Sequence, residues 1–405
     1  MKTIPTAQPP VPGPAPKPRV IPLVATLLLL ALPPGTQAEP APAAPPAVAT
    51  TPAADSYHLP ADAGELLRLD NEMRAFFAAR VGRDTPGEER LTAILAAIVG
   101  ADGLNFRYEE FGLYDVREAF RRRRGNCLTI SALIVAVARE FRMPARFNNV
   151  PVRPSWSRVG RIVLEENHVN VRIETAGVLY EIDFGPRLNR AAPRGGGRLI
   201  GDRRACATLY SNAGVYRLIS DDLAGALRFM QLATQTDPTY AAGWTNLAGA
   251  HQIAHDPAGA RRCYERALAT DPAHLAAIDG LARLSREAGD TTRAEKLERK
   301  VARYRERNPY HLLQLARGEL AEGDVQGAHR HLSRAVRLKD DDPEILAALV
   351  EASRRLGRNR ESSRWARRLA ALPRLGPPRG PEPQPSQARL RTASDSHTGP
   401  APSGP

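Results

Sequence analysis

The chain has 405 residues and a formal net charge of +13, which allows two or three domains and raises nucleic acid or an anionic membrane as partners. Its arginines are interleaved with acids everywhere except Arg121–Arg124. No RNP-like aromatic motif, zinc-finger spacing or recognition helix accompanies them, so nucleic-acid binding is set aside. The cysteines are Cys127, Cys206 and Cys263; with no Cys-x-x-Cys pair and no histidines clustered with cysteines, a structural zinc site is not expected. No phosphate loop, dinucleotide fingerprint or calcium loop is present, so no cofactor is expected.

In chain order, Lys2, Lys17 and Arg19 precede the apolar run "VIPLVATLLLLAL", and small residues follow at Thr36 and Ala38. This is the layout of a secretory signal over 1–38, cleaved after Ala38, and it predicts export, to the periplasm of a Gram-negative bacterium. The run is too short for a comfortable membrane span. An uncleaved N-terminal anchor is the alternative, and the only expected route to membrane association. Residues 39–57 and 373–405 are Pro-, Ala-, Gly- and Ser-rich, a composition that predicts a disordered linker and tail.

Between 58 and 204 the pattern is mixed. Helical spacing marks "AGELLRLDNEMRAFFAARV", "GEERLTAILAAIVG" and "LYDVREAFRRRR". Then come Gly125-Asn126-Cys127 and an apolar helix to Phe141. Strands are predicted at "ARFNNVPV", "NHVNVRIE" and "VLYEIDF". The last two read as a hairpin turning near Thr175-Ala176-Gly177. His168, Asn170 and Arg172 share one side of the first strand, opposite to Val169, Val171 and Ile173. A two-residue turn pairing Glu174 with Gly177 sets His168 across from Asp183, on one sheet face.

A thiol at a helix N-terminus meets free N–H groups and a partial positive charge, which favour the thiolate. An imidazole can hold the proton, and a carboxylate fixes its tautomer. The backbone N–H of Cys127 is placed to stabilise an oxyanion. Alone, Cys127 reads as a buried small hydrophobe, His168 as a strand histidine and Asp183 as a strand end. Their joint order and parity favour an acyl-transfer constellation.

The stretches "RRGNCLTISALIVAVAREFRMPARF", "NHVNV" and "YEIDF" resemble the transglutaminase-like (papain-like cysteine) superfamily, over roughly residues 85–185. The resemblance implies an α+β core in which a cysteine-bearing helix meets an antiparallel sheet. It implies acyl transfer or amide hydrolysis through a thioester, with Cys127 as nucleophile, His168 as base then acid, and Asp183 orienting the ring. Trp156 and Asn126 are carried with it as candidates for lining the site or its oxyanion pocket. Asn126 is a departure, since Gly, Tyr or Trp is common around the family's cysteine.

From 205 to 372 the chain repeats itself. Ala226, Ala260, Ala294 and Ala328 fall 34 residues apart, as do Ala233, Ala267, Val301 and Ala335. Tyr210, Trp244, Ile278 and Leu312 keep the same period. Pro238 and Pro272 keep it too; Pro309 and Pro343 do so with a shift of three. This resembles the tetratricopeptide repeat, implying an all-α solenoid of four helix pairs and a degenerate capping unit from Pro343. Such a stack implies a protein or peptide partner or substrate on its concave face. His251, His255, His329 and His331 are expected to be surface or satisfied histidines. Cys206 and Cys263 are expected as packed thiols, and no spacing rule supports a bridge between them. The whole reads as an exported cysteine-dependent amide or peptide hydrolase or acyl transferase. The alternative is a non-catalytic envelope adaptor working through the repeats.

Overall fold

The computed structural model describes residues 28–31, 59–82, 84–150, 156–159, 162–165, 167–184, 197–372, 384–385 and 389–392. The expected leader, linker and tail otherwise lie outside the described residues. Among the described residues no helix is long and apolar enough to cross a membrane.

After β1 (Leu28–Ala31), three helices open the first domain: α1 (Ala63–Leu66), α2 (Asn71–Ala78) and α3 (Gly87–Val99). Asp62 and Asp70 start the first two by accepting hydrogen bonds from first-turn N–H groups. The short β2 (Arg107–Tyr108) runs parallel to β3 (Arg124–Gly125), and α4 (Val116–Arg122) lies between them. Helix α5 (Cys127–Glu140) is buried continuously from Cys127 to Ala138. A helix apolar on every face must be enclosed, and α3, α4 and the sheet enclose this one.

The main sheet is antiparallel, in the order β11-β8-β7-β4-β9. Its strands are β4 (Ala145–Val150), β7 (His168–Thr175), β8 (Val178–Asp183), β9 (Arg198–Ile200) and β11 (Arg389–Thr392). Between β4 and β7 the chain leaves the sheet as a hairpin of β5 (Trp156–Val159) and β6 (Ile162–Glu165), with β1 on its other edge. Strand β10 (Gln384–Pro385) pairs with β2.

The β7–β8 turn differs from expectation by two residues. Thr175 pairs with Val178, so the turn is Ala176-Gly177, with φ of 52° and 75°. Two consecutive left-handed residues make the tight turn whose twist suits a hairpin. The expectation had Glu174 facing Gly177; instead it faces Leu179. A slip of two preserves every residue's face, so the parity of His168 and Asp183 survives while their direct opposition does not.

The remaining helices form five antiparallel pairs: α6 (Asp202–Ile219) with α7 (Leu223–Thr236), α8 (Ala241–Ile253) with α9 (Pro257–Thr270), α10 (Leu275–Glu287) with α11 (Thr291–Arg305), α12 (Pro309–Glu322) with α13 (Val325–Leu338), and α14 (Pro343–Arg355) with α15 (Asn359–Ala370). This is a tetratricopeptide-type solenoid. The second helices start at 223, 257, 291, 325 and 359, each 34 after the last. Ala226, Ala260, Ala294 and Ala328 are fully buried where helices approach. Asp222, Asp256, Asp290 and Asp324 cap four second helices through first-turn N–H groups. Within each pair the turn holds one left-handed residue: Asp221, His255, Gly289, Gly323 or Gly357. The three-residue shift of the prolines also has a cause. Pro238 and Pro272 sit in the turn before a helix, whereas Pro309 and Pro343 are the first helical residues of α12 and α14.

Helix α6 joins the two regions. Its Tyr210 hydroxyl donates to the Pro60 carbonyl at 2.5 Å, and its Tyr216 hydroxyl to the Glu110 carbonyl at 3.2 Å. Phe111 meets the Tyr216 ring edge-on at 4.9 Å. One hydrophobic core runs from Leu66 through α5 and the sheet into α10.

Candidate active site

Cys127 is the first residue of α5, and the residues before it explain why the helix starts there. The Asn126 side chain accepts from the Thr129 N–H at 3.0 Å, which closes the N-terminus. The Thr129 hydroxyl donates to the Gly112 carbonyl at 3.0 Å, and the Asn126 N–H donates to the same carbonyl at 2.9 Å. The 112–114 segment is thereby stitched to the first turn. A Cβ on Gly125 would lie 2.4 Å from Thr129 Cγ2, so the backbone passes that side chain only as glycine. The Cys127 and Leu128 N–H groups belong to the first turn and have no carbonyl four residues back within the helix.

His168 opens β7 and pairs with Val150 at the end of β4. Asp183 ends β8. Continuing the register beyond Val171 and Ile182 sets Asp183 across from Asn170, diagonal to His168. The diagonal is short enough: His168 Nε2 lies 2.5 Å from Asp183 Oδ1. The imidazole also hydrogen-bonds the Cys127 side chain. Burial alone would push the imidazole pKa down. The bonds to Asp183 and Cys127, with their negative charge, outweigh burial and push it up to about 10. The ring thus stands between the Asp183 carboxyl and the Cys127 side chain. Cys127 is 3% exposed, whereas the His168 side chain is 16% exposed, so the imidazole is the most open of the three.

The other two candidates have different surroundings. Asn126 is buried beside Cys127 with its side-chain oxygen committed to the cap. Trp156 is not in the site, which corrects the expectation. It meets Tyr304 edge-on at 6.1 Å and belongs to a cluster with Val163, Ile278, Val301 and Tyr310, facing the repeats. A residue absent from the expectation stands across from Asn170, two residues along β7 from His168. Asn148, on β4, donates to Asn170 Oδ1 at 2.8 Å, and both are buried. Its signal in "ARFNNV" was faint, since Asn148 is one of three polar residues in the six.

The other cysteines lie in the helical region. Cys206 and Cys263 are free and buried, and burial pushes both thiols up to about 11. Beside the β5–β6 hairpin, a cleft of about 510 Å³ opens on the repeats, lined by Asp279, Arg283, Tyr304, His311, Gln314 and Glu319 among others.

Residues 75–177 match the model of the transglutaminase-like superfamily. That span includes Cys127 and His168 and stops before Asp183. No curated protein matches the chain. Among solved structures, the chain is similar to Pseudomonas aeruginosa PilF at 17% identity, over 44% of this chain and 80% of that one, with a TM-score of 0.35. It is similar to MamA of Desulfovibrio magneticus RS-1 at 15% identity, over 42% and 96%, with a TM-score of 0.30. It is also similar to a chain of the APC/C hetero-tetramer Cut9–Hcn1 at 19% identity, over 41% and 33%, with a TM-score of 0.33. The chain thus spans a third of that last protein's length.

Proposed function

We propose that this chain, a transglutaminase-like domain continued by tetratricopeptide-type repeats, is a cysteine-dependent amide hydrolase or acyl transferase. The observation that carries the reading is the imidazole of His168, bonded at once to the Asp183 carboxyl at 2.5 Å and to the Cys127 side chain. In the first half-reaction the Cys127 sulfur attacks the amide carbon. The C–N bond breaks, the amine leaves with the proton held by His168, and a thioester forms. In the second, water or an amine attacks the thioester while His168 takes its proton, and the thiol is regenerated. The free N–H groups at the start of α5 face charge that develops on the carbonyl oxygen. Asp183 keeps the ring oriented and steadies its positive form.

The repeats serve this chemistry as the protein-binding part. Their mixed-charge cleft suits a peptide segment carrying both signs of charge, from a protein substrate or partner. The composition of the first 38 residues supports export to the periplasm, where amino-terminal sequencing of the mature protein should begin at Glu39.

A thiol-directed alkylator is the direct test. It should label Cys127 first, below neutral pH, and His168→Ala should abolish that preference. A second reading is favoured by the 3% exposure of Cys127: the first domain is a docking module, and the protein is an adaptor. Labelling of Cys206 or Cys263 ahead of Cys127 in the folded protein would establish it and end the catalytic proposal.

A further inference from the structure

The β5–β6 hairpin is two-faced, and its register says how. Trp156 pairs with Glu165 and Arg158 with Val163, so these four share one face. Ser157 and Leu164, with Val159 and Ile162, share the other. Ile162 and Leu164 enter the large core that the first domain shares with the repeats up to α10. The first face lies against the repeats. Trp156 and Val163 join the cluster of Ala276, Ile278, Val301, Tyr304 and Tyr310. The Tyr304 hydroxyl donates to Glu165 Oε2 at 2.7 Å. Arg158 donates to Glu344 Oε2 at 2.7 Å, has Asp342 at 3.9 Å, and stands over the Tyr310 ring at 5.4 Å. Its side chain is 11% exposed, so the ion pairs operate partly out of water, where charge is less screened.

The hairpin is the excursion the chain makes between Val150 and His168, which are paired neighbours at one end of the sheet. Glu165 precedes His168 by three residues, at most about 10 Å of extended chain. Whatever holds Glu165 therefore restricts the first residue of β7. His168 begins its strand, so besides its pairing with Val150 and its ring bonds to Asp183 and Cys127, the short connection from Glu165 bears on where its backbone lies.

We infer that Tyr304, Asp342 and Glu344, all on the repeat side, are positioning residues for His168, acting through the β5–β6 hairpin they hold. The inference rests on the role proposed for His168. The repeats are then part of the active unit as well as a binding surface. A ligand that displaced the hairpin from Tyr304 and Glu344 would loosen the imidazole.

The test compares the full chain with Arg158→Ala/Tyr304→Phe, which removes both polar tethers, and with Arg158→Lys/Glu165→Gln, which keeps a cation and an acceptor in place. The readout is titration of the His168 ring by NMR, with helix content checked by circular dichroism. In the first variant the midpoint should fall by a unit or more toward the ordinary histidine value of about 6.5, a tenfold or greater change in the proton equilibrium. The second should stay near wild type. Tyr304→Phe alone, the mildest change, should move the midpoint in the same direction. Unchanged midpoints in both Tyr304 variants overturn the inference. This readout needs no turnover, so it is separable from the labelling order that tests Cys127 as nucleophile.

Discussion

His168 concentrates the proposed chemistry in one ring. Its pKa is raised in the folded chain, so the stability it contributes is fully present below about pH 6.5, the unfolded value, and is lost as pH rises through about 10. Urea melts of wild type and His168→Gln across this window should show a gap that narrows with rising pH and closes near its upper end. Asp183→Asn should leave the fold intact and slow Cys127 acylation by about 10²–10⁴-fold, measured by stopped-flow with an activated acyl donor. The approach of His168 to Asp183 was legible because strand parity sets both on one sheet face. Trp156 was misjudged for a physical reason. Its partner Tyr304 lies far along the chain, and nothing local tells which side of a short hairpin will meet another domain.

Among the elements, the helix pairs were the most legible. Small residues at a fixed interval are what close helix approach requires, and Ala226 through Ala328 are buried as that demands. The β7–β8 register was legible in parity and not in pairing. It turns on Ala176 adopting a left-handed backbone, which alanine's identity does not announce. The intra-pair turns show the same preference paid for unequally: three use glycine, while Asp221 and His255 bear a Cβ in the left-handed region. His255 is exposed and caps no helix, so His255→Gly should relieve strain and raise stability by about 0.5–1 kcal/mol. Thermal melts of the two proteins would check the sign.

For the molecule as a whole, the division into an α+β domain and a solenoid is clear in composition and less clear in energetics. Tyr210, Tyr216, Cys206 and Ala226 share a core with α5 and the sheet. A fragment ending at residue 204 would leave that surface open to water. It should therefore melt well below the intact chain and bind a hydrophobic dye, whereas the intact chain should lose near-ultraviolet signal from both regions in one transition. Sequence patterning could not forecast the α6 part of this fusion, because the Tyr210 and Tyr216 hydroxyls that cross the boundary end on backbone carbonyls, which carry no residue identity.

The hairpin's anchorage also has a consequence in time. Tyr304 follows Glu165 by 139 positions and Glu344 follows Arg158 by 186. A ribosome delivers the thiol, the ring and the carboxyl long before it delivers the residues that hold the hairpin down. During synthesis the growing polypeptide thus carries all three groups without their final brace, and completes that brace only after α14 has emerged.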